Sequence, residues 1–133
     1  MLSLWKKKRF KAMDKENDYV QINKLCEMVV VMSRWIENLQ NNKKLDSYFT
    51  KNNYRKIAVY GMSYFSQNLQ GELLNTDIIV DLIFDKNSMD EILNHEVDVI
   101  VVTSLYYFYE IREQLIKMVK CPIICIDDII YKM

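Results

Sequence analysis

The chain is predicted to be an α/β domain of Rossmann-like, three-layer architecture. Its parallel sheet of about four strands runs in the order 2-1-3-4, behind an N-terminal helical extension. Three observations lead there. Four short apolar runs are β-branched and mostly unalternating, helical stretches separate them, and the first run halts at a glycine. Runs of that kind belong to strands covered on both faces, and their alternation with helices implies right-handed parallel crossovers.

The elements follow in order. Residues 1–17 form a basic tail, whose first fifteen residues set Lys6, Lys7, Lys8, Arg9, Lys11 and Lys15 against Asp14 alone, interleaved with Leu2, Leu4, Trp5 and Phe10. Such a segment is either a solvated tail or, over residues 1–11, a peripheral contact with an anionic membrane. No apolar h-region follows the charges, so a secretory signal is not expected, and no stretch is apolar enough to span a bilayer.

Residues 18–133 are read as one domain, with helices over 18–53 and the parallel core over 54–133. From Asp18, a candidate N-cap, to about Gln40, apolar residues recur with helical period at Tyr19, Ile22, Cys26, Val29 and Ile36, and Val30, Val31 and Trp35 widen the stripe. A helix this apolar lies deep in the domain or meets a partner, and a homo-oligomer through 18–40 is the expectation. A short helix over Leu45 to Lys51 should end at Asn52-Asn53. The strands are expected at 56–60, 78–84, 97–102 and 122–126, and helical stretches at 64–74, 89–93 and 106–119.

Composition sets bounds. Half of the 133 residues are hydrophobic, and only two Gly and one Pro occur, which suits an ordered chain with short loops. Eighteen basic and eighteen acidic side chains cancel, so a nucleic-acid partner is not expected. Three cysteines at unrelated spacings suit a reducing cytoplasm better than a disulfide framework. With one histidine and no CxxC pair, no zinc site is expected.

The readable site is the turn after the first strand. Strand, Gly61, helix, strand and acidic residue open a dinucleotide-binding unit. Gly61 permits the tight turn, and the helix from Tyr64 aims its free amides and positive dipole end at an anion. Asp85 is spaced to accept hydrogen bonds from ribose hydroxyls. The full pattern GxGxxG is not met, because Gly61-Met62-Ser63-Tyr64-Phe65-Ser66 has serines at its second and third glycine positions. A βαβ unit with an empty site stands beside the nucleotide reading. The candidate contacts are Gly61, Met62, Ser63, Tyr64, Asp85, Lys86, Thr103 and Ser104, with NAD(P) or a nucleotide-sugar as ligand.

Lys56-Ile57-Ala58-Val59-Tyr60-Gly61-Met62, Phe84-Asp85-Lys86-Asn87, Asp98-Val99-Ile100-Val101-Val102-Thr103 and Cys121-Pro122-Ile123-Ile124 resemble Rossmann-like domains of bacterial polysaccharide biosynthesis proteins, of the type called sugar-nucleotide epimerase-like. The resemblance spans about residues 30–131. It implies a Rossmann-like fold and a nucleotide or nucleotide-sugar ligand, with the glycine-rich turn carried over at Gly61 alone.

Catalysis is not expected from the chain by itself. Short-chain reductases and epimerases pair a tyrosine with a lysine four residues on, and none of the nine tyrosines here has that partner. Such enzymes also continue beyond a fourth strand into a substrate-binding half. Thr103 and Ser104 suit either a phosphate or a helix cap. Asp127 and Asp128 read as solvated turn residues at a strand end, or as a pair for a metal or sugar hydroxyls. His95 reads as a surface residue, and Cys121 and Cys125 as small core residues on one strand face. Among Tyr106, Tyr107, Phe108 and Tyr109, some rings pack in the core and one is placed to stack on a base or sugar. The leading expectation is a non-catalytic nucleotide or nucleotide-sugar binding domain accessory to bacterial polysaccharide biosynthesis. The alternatives are an interaction module with a vestigial site, or part of an NAD-dependent sugar-nucleotide enzyme.

Overall fold

A computed structural model describes residues 15–133. The basic segment and its expected membrane contact lie outside the described residues. Two helices, α1 (Lys15–Gln40) and α2 (Leu45–Lys51), precede β1 (Lys56–Tyr60), α3 (Tyr64–Leu73), β2 (Ile79–Phe84), a 3-10 helix (Met89–Asn94), β3 (Val99–Val102), α4 (Phe108–Leu115), β4 (Ile123–Cys125) and α5 (Ile126–Lys132). The four strands form one parallel sheet in the order β2-β1-β3-β4, the predicted architecture.

Both sheet faces are covered, which is why the strand sequences do not alternate. Ile57 and Val59 of β1 and Val99 and Val101 of β3 join a core with α1, α2, α3 and α5. Their neighbours Ala58, Tyr60, Ile100 and Val102 point the other way, onto Ile92 of the 3-10 helix and Ile111 and Leu115 of α4. Several of these side chains are fully buried. At ~1.5–3 kcal/mol for each large aliphatic taken from water, the two layers supply most of the driving force for folding.

Helix ends depend on asparagine in a chain so poor in glycine. Asn42, Asn53 and Asn75 take the left-handed conformation just beyond α1, α2 and α3. Asparagine tolerates that region and so substitutes for the usual glycine stop. Glu72 of α3 ties this layer together, since Trp35 Nε1 and the backbone amide of Leu45 each donate to its carboxylate at 2.6 Å. Trp35 also stacks on Phe65, with ring centroids 6.2 Å apart.

Three local expectations are corrected. Asp18 is not a cap, because the helix already runs through it from Lys15. The fourth strand stops at Cys125, and Ile126 opens α5, which puts Asp127 and Asp128 in the first turn of a helix rather than in a strand-end turn. Acidic side chains suit that position, next to the free amides of a helix start. Ile126, Ile129 and Ile130 are fully buried there, an i, i+3, i+4 pattern that the short apolar run concealed. Cys121 accordingly lies outside the strand, and Cys125 alone of the pair is buried.

Candidate functional site

The sheet order places β1 at a switch point. The chain leaves β1 toward β2 on one side and returns to β3 on the other, so the carboxyl ends of β1 and β3 diverge around a crevice. One further rung on each side extends the ladder to the edge of that crevice. The Gly61 amide donates to the Phe84 carbonyl at 2.8 Å, and the Thr103 amide to the Tyr60 carbonyl at 2.9 Å.

Gly61 has φ +117, a conformation that side-chain-bearing residues rarely adopt. A Cβ there would lie 2.1 Å from Thr103 Oγ1. The glycine is therefore required by the neighbouring strand, whatever ligand the turn receives. Thr103 is buried, and its hydroxyl donates to the Tyr60 carbonyl at 2.9 Å. That hydroxyl proton is engaged in holding β1 and β3 together, and only its oxygen lone pairs remain for a ligand.

A cleft of about 300 Å³ opens on this edge. Gly61, Met62 and Ser63 form one wall, Thr103, Ser104 and Leu105 another, and Tyr106 and Tyr107 the rim. Ser63, the N-cap of α3, lines the cleft and makes no side-chain cap bond, and the first turn of the helix also reaches the cleft through Phe65. The lining is predominantly apolar, with Met28 and Phe65 at its base.

The third wall is α1, which sequence reasoning did not assign to the site. Lys24, Glu27 and Met28 line the cleft. Lys24 Nζ donates to the Tyr107 hydroxyl at 2.7 Å and stands 4.6 and 4.5 Å from the ring centroids of Tyr106 and Tyr107. A cation over two π faces is held at the rim, and among the described residues no ion pair engages it, which leaves its charge open to an anion. Glu27 adds an opposing charge on the same helix. The sequence holds only half of the signal: Lys24 continues the series Met28, Val31, Trp35 at steps of four, three and four, but it is the burial of Val31 and Trp35 that makes this the inward face of α1.

Of the eight predicted contacts, Gly61, Met62, Ser63, Thr103 and Ser104 line the cleft, whereas Tyr64, Asp85 and Lys86 do not. Tyr64 is 74% exposed at the start of α3. Asp85 closes its own turn, its Oδ1 accepting from the Asn87 amide at 2.9 Å and the Ser88 hydroxyl at 3.2 Å. Lys86 lines a separate hollow over residues 86–91. Burial, and next the charge of Asp85, raise the Tyr60 phenol above its ordinary pKa, so it stays protonated beneath the turn.

His95, Asp98 and Cys125 have structural roles. His95 Nδ1 lies 2.7 Å from Asp81 Oδ2 on the edge strand β2, away from the cleft. Asp98 Oδ2 accepts from the amides of Arg55 and Lys56 and anchors the start of β1. Burial raises the Cys125 thiol far above its ordinary range, an inert core cysteine rather than a nucleophile. Among the described residues no cluster of His, Cys, Asp or Glu has the makings of a metal site, and no helix is long and apolar enough to cross a membrane. Comparison with protein-family models, curated proteins and solved structures gives no significant match to the chain.

Proposed function

We propose that the chain is a non-catalytic binding domain for a phosphate-bearing ligand of the nucleotide or nucleotide-sugar class. One observation carries the reading: at the switch point of a parallel sheet, a cleft combines the N-terminus of α3, the unbonded Ser63 side chain and the Lys24 ammonium. A phosphate at the helix start accepts from backbone amides and Ser63, with Lys24 as its point charge. A base or sugar then lies along Met62 and Tyr106.

The cleft's volume, about 300 Å³, is at the lower bound of small-molecule sites, ~300–1,000 Å³. That favours one nucleotide or the phosphosugar part of a ligand over a complete NAD(P). The role in bacterial polysaccharide assembly, in the cytoplasm, is proposed on the resemblance of the strand and turn segments described above.

The test is isothermal titration with nucleoside diphosphates, nucleotide-sugars and NAD(P)(H), on the native chain and on Lys24→Ala. Removing a charged hydrogen-bond donor should weaken binding by ~1.5–3 kcal/mol, about 10- to 150-fold. Glu27→Gln should tighten it by removing the opposing charge. Heat from none of these ligands at millimolar concentration would sink the proposal, and equal affinity in Lys24→Ala would move the site elsewhere.

A further inference from the structure

Helix α1 has two apolar faces, and the domain covers only one. The inward face carries Val31 and Trp35, both buried. About a third of a turn around the helix lies a second stripe, Ile22, Leu25, Val29, Met32, Ile36 and Leu39, at steps of three, four, three, four and three. Five of these six side chains are exposed: Ile22 47%, Leu25 54%, Val29 66%, Ile36 52% and Leu39 42%. Met32 is partly covered, with the Asn68 amide 3.5 Å from its sulfur.

We infer that this stripe is a self-association seam, by which a second copy of the chain packs its own α1 against this one to form a homodimer. The spacing is a heptad repeat with β-branched Ile22, Val29 and Ile36 at one core position and Leu25, Met32 and Leu39 at the other. That pairing of residue types favours two-stranded helix packing. Tyr19, Cys26, Ser33 and Gln40 flank the seam on its outer side, and none is charged at neutral pH. From Ile22 to Leu39, two identical seams therefore set no like charges against each other, the condition an isologous interface must meet, and Asp18, one heptad before Leu25, lies beyond that span.

The area agrees. With about half of each of five aliphatic side chains in water, the stripe leaves on the order of 400 Å² of apolar surface exposed, within the range of the largest and often functional patches on monomers. At the ~60% apolar share of an interface, that core implies roughly 700 Å² per partner, close to the ~800 Å² of a standard stable interface. An anionic membrane is the competing occupant. It fits less well, because residues 17–40 hold Lys24 and Arg34 against Asp18, Glu27 and Glu37, and the lysine is turned into the cleft.

Sedimentation velocity on the full chain, from about 1 to 100 µM, tests the inference. The expected species has twice the 16.0 kDa chain mass at the upper concentrations. Val29→Glu should weaken association at least 100-fold and leave the far-UV circular dichroism unchanged, since Val29 is 66% exposed and outside the core. Asn23→Glu, exposed on another face of α1, places the same charge off the seam and should dimerise like the native chain. A native chain that is monomeric throughout overturns the proposal. So does a dimer that survives Val29→Glu, or a monomer that binds phosphatidylserine vesicles through this stripe and loses them on Val29→Glu.

Discussion

Replacing Gly61 with alanine separates two explanations of the same residue. If the glycine exists to admit a ligand, alanine should weaken binding and leave stability alone. If it exists because Thr103 leaves no room, alanine should destabilise the fold without any ligand. The structure predicts the second. An alanine at φ +117 bears backbone strain of ~1–3 kcal/mol. Its Cβ, 2.1 Å from Thr103 Oγ1, also forces that hydroxyl off the Tyr60 carbonyl, a further ~1 kcal/mol. The total is about 3 kcal/mol, a fall of roughly 10 °C in Tm for a domain of this size. Urea unfolding followed by far-UV circular dichroism gives the free energy. Thr103→Ala supplies the internal control, because the nearest remaining atom, the Cβ of residue 103, lies at an ordinary 3.5 Å. The double variant Gly61→Ala/Thr103→Ala should then be more stable than the two single losses predict, by at least ~1 kcal/mol. Losses that add within ~0.5 kcal/mol would refute the steric argument, as would a stability loss below that figure for Gly61→Ala alone.

Three other outcomes are expected. Glu72→Leu removes the acceptor of both Trp35 Nε1 and the Leu45 amide, and should cost ~2–4 kcal/mol in thermal or urea unfolding, whereas an exposed carboxylate would cost less than ~0.5. Asp85→Ala should lower stability by ~1 kcal/mol through loss of the turn, with cleft affinity in titration changed less than twofold. Stability should also fall in alkali. Burial raises the folded Cys125 thiol above its ordinary 9.0, so its contribution is complete below about pH 9 and is lost as pH rises beyond it, when only the unfolded thiol ionises. The slope reaches at most ~1.4 kcal/mol per pH unit for one group. Cys121 is raised in the same direction by burial, and Tyr48 and Tyr60, ordinarily 10.0, add to the fall above pH 10. Urea unfolding between pH 9 and 10 should show a shallower decline for Cys125→Ala than for the native chain; equal slopes would clear the thiol of that role.

What the sequence determined by itself was local and periodic. Lys56–Tyr60 and Val99–Val102 announce themselves as strands because apolar residues on both pleat faces leave no solvated side. Gly61 marks the turn, and alternation of strands with helices leads to the order 2-1-3-4. Five of the eight predicted contacts meet in one cleft, since βα loops after β1 and β3 must converge at a switch point. The tertiary structure alone decided the rest. Residues around α1 are apolar on more than one side, so its periodicity could not say whether Val29 or Trp35 faces inward; the docking of Trp35 on Phe65 and Glu72 does. That rotation brings Lys24 to the cleft and turns the heptad stripe outward. Asp85 has the spacing of a ribose ligand but engages its own turn, its carboxylate accepting from Asn87 and Ser88 two and three residues on. The atom that makes glycine obligatory at position 61 belongs to Thr103, just past the end of β3. Local pattern specifies which segments become strands and helices, whereas side-chain contacts between segments distant in sequence fix their rotation and their partners.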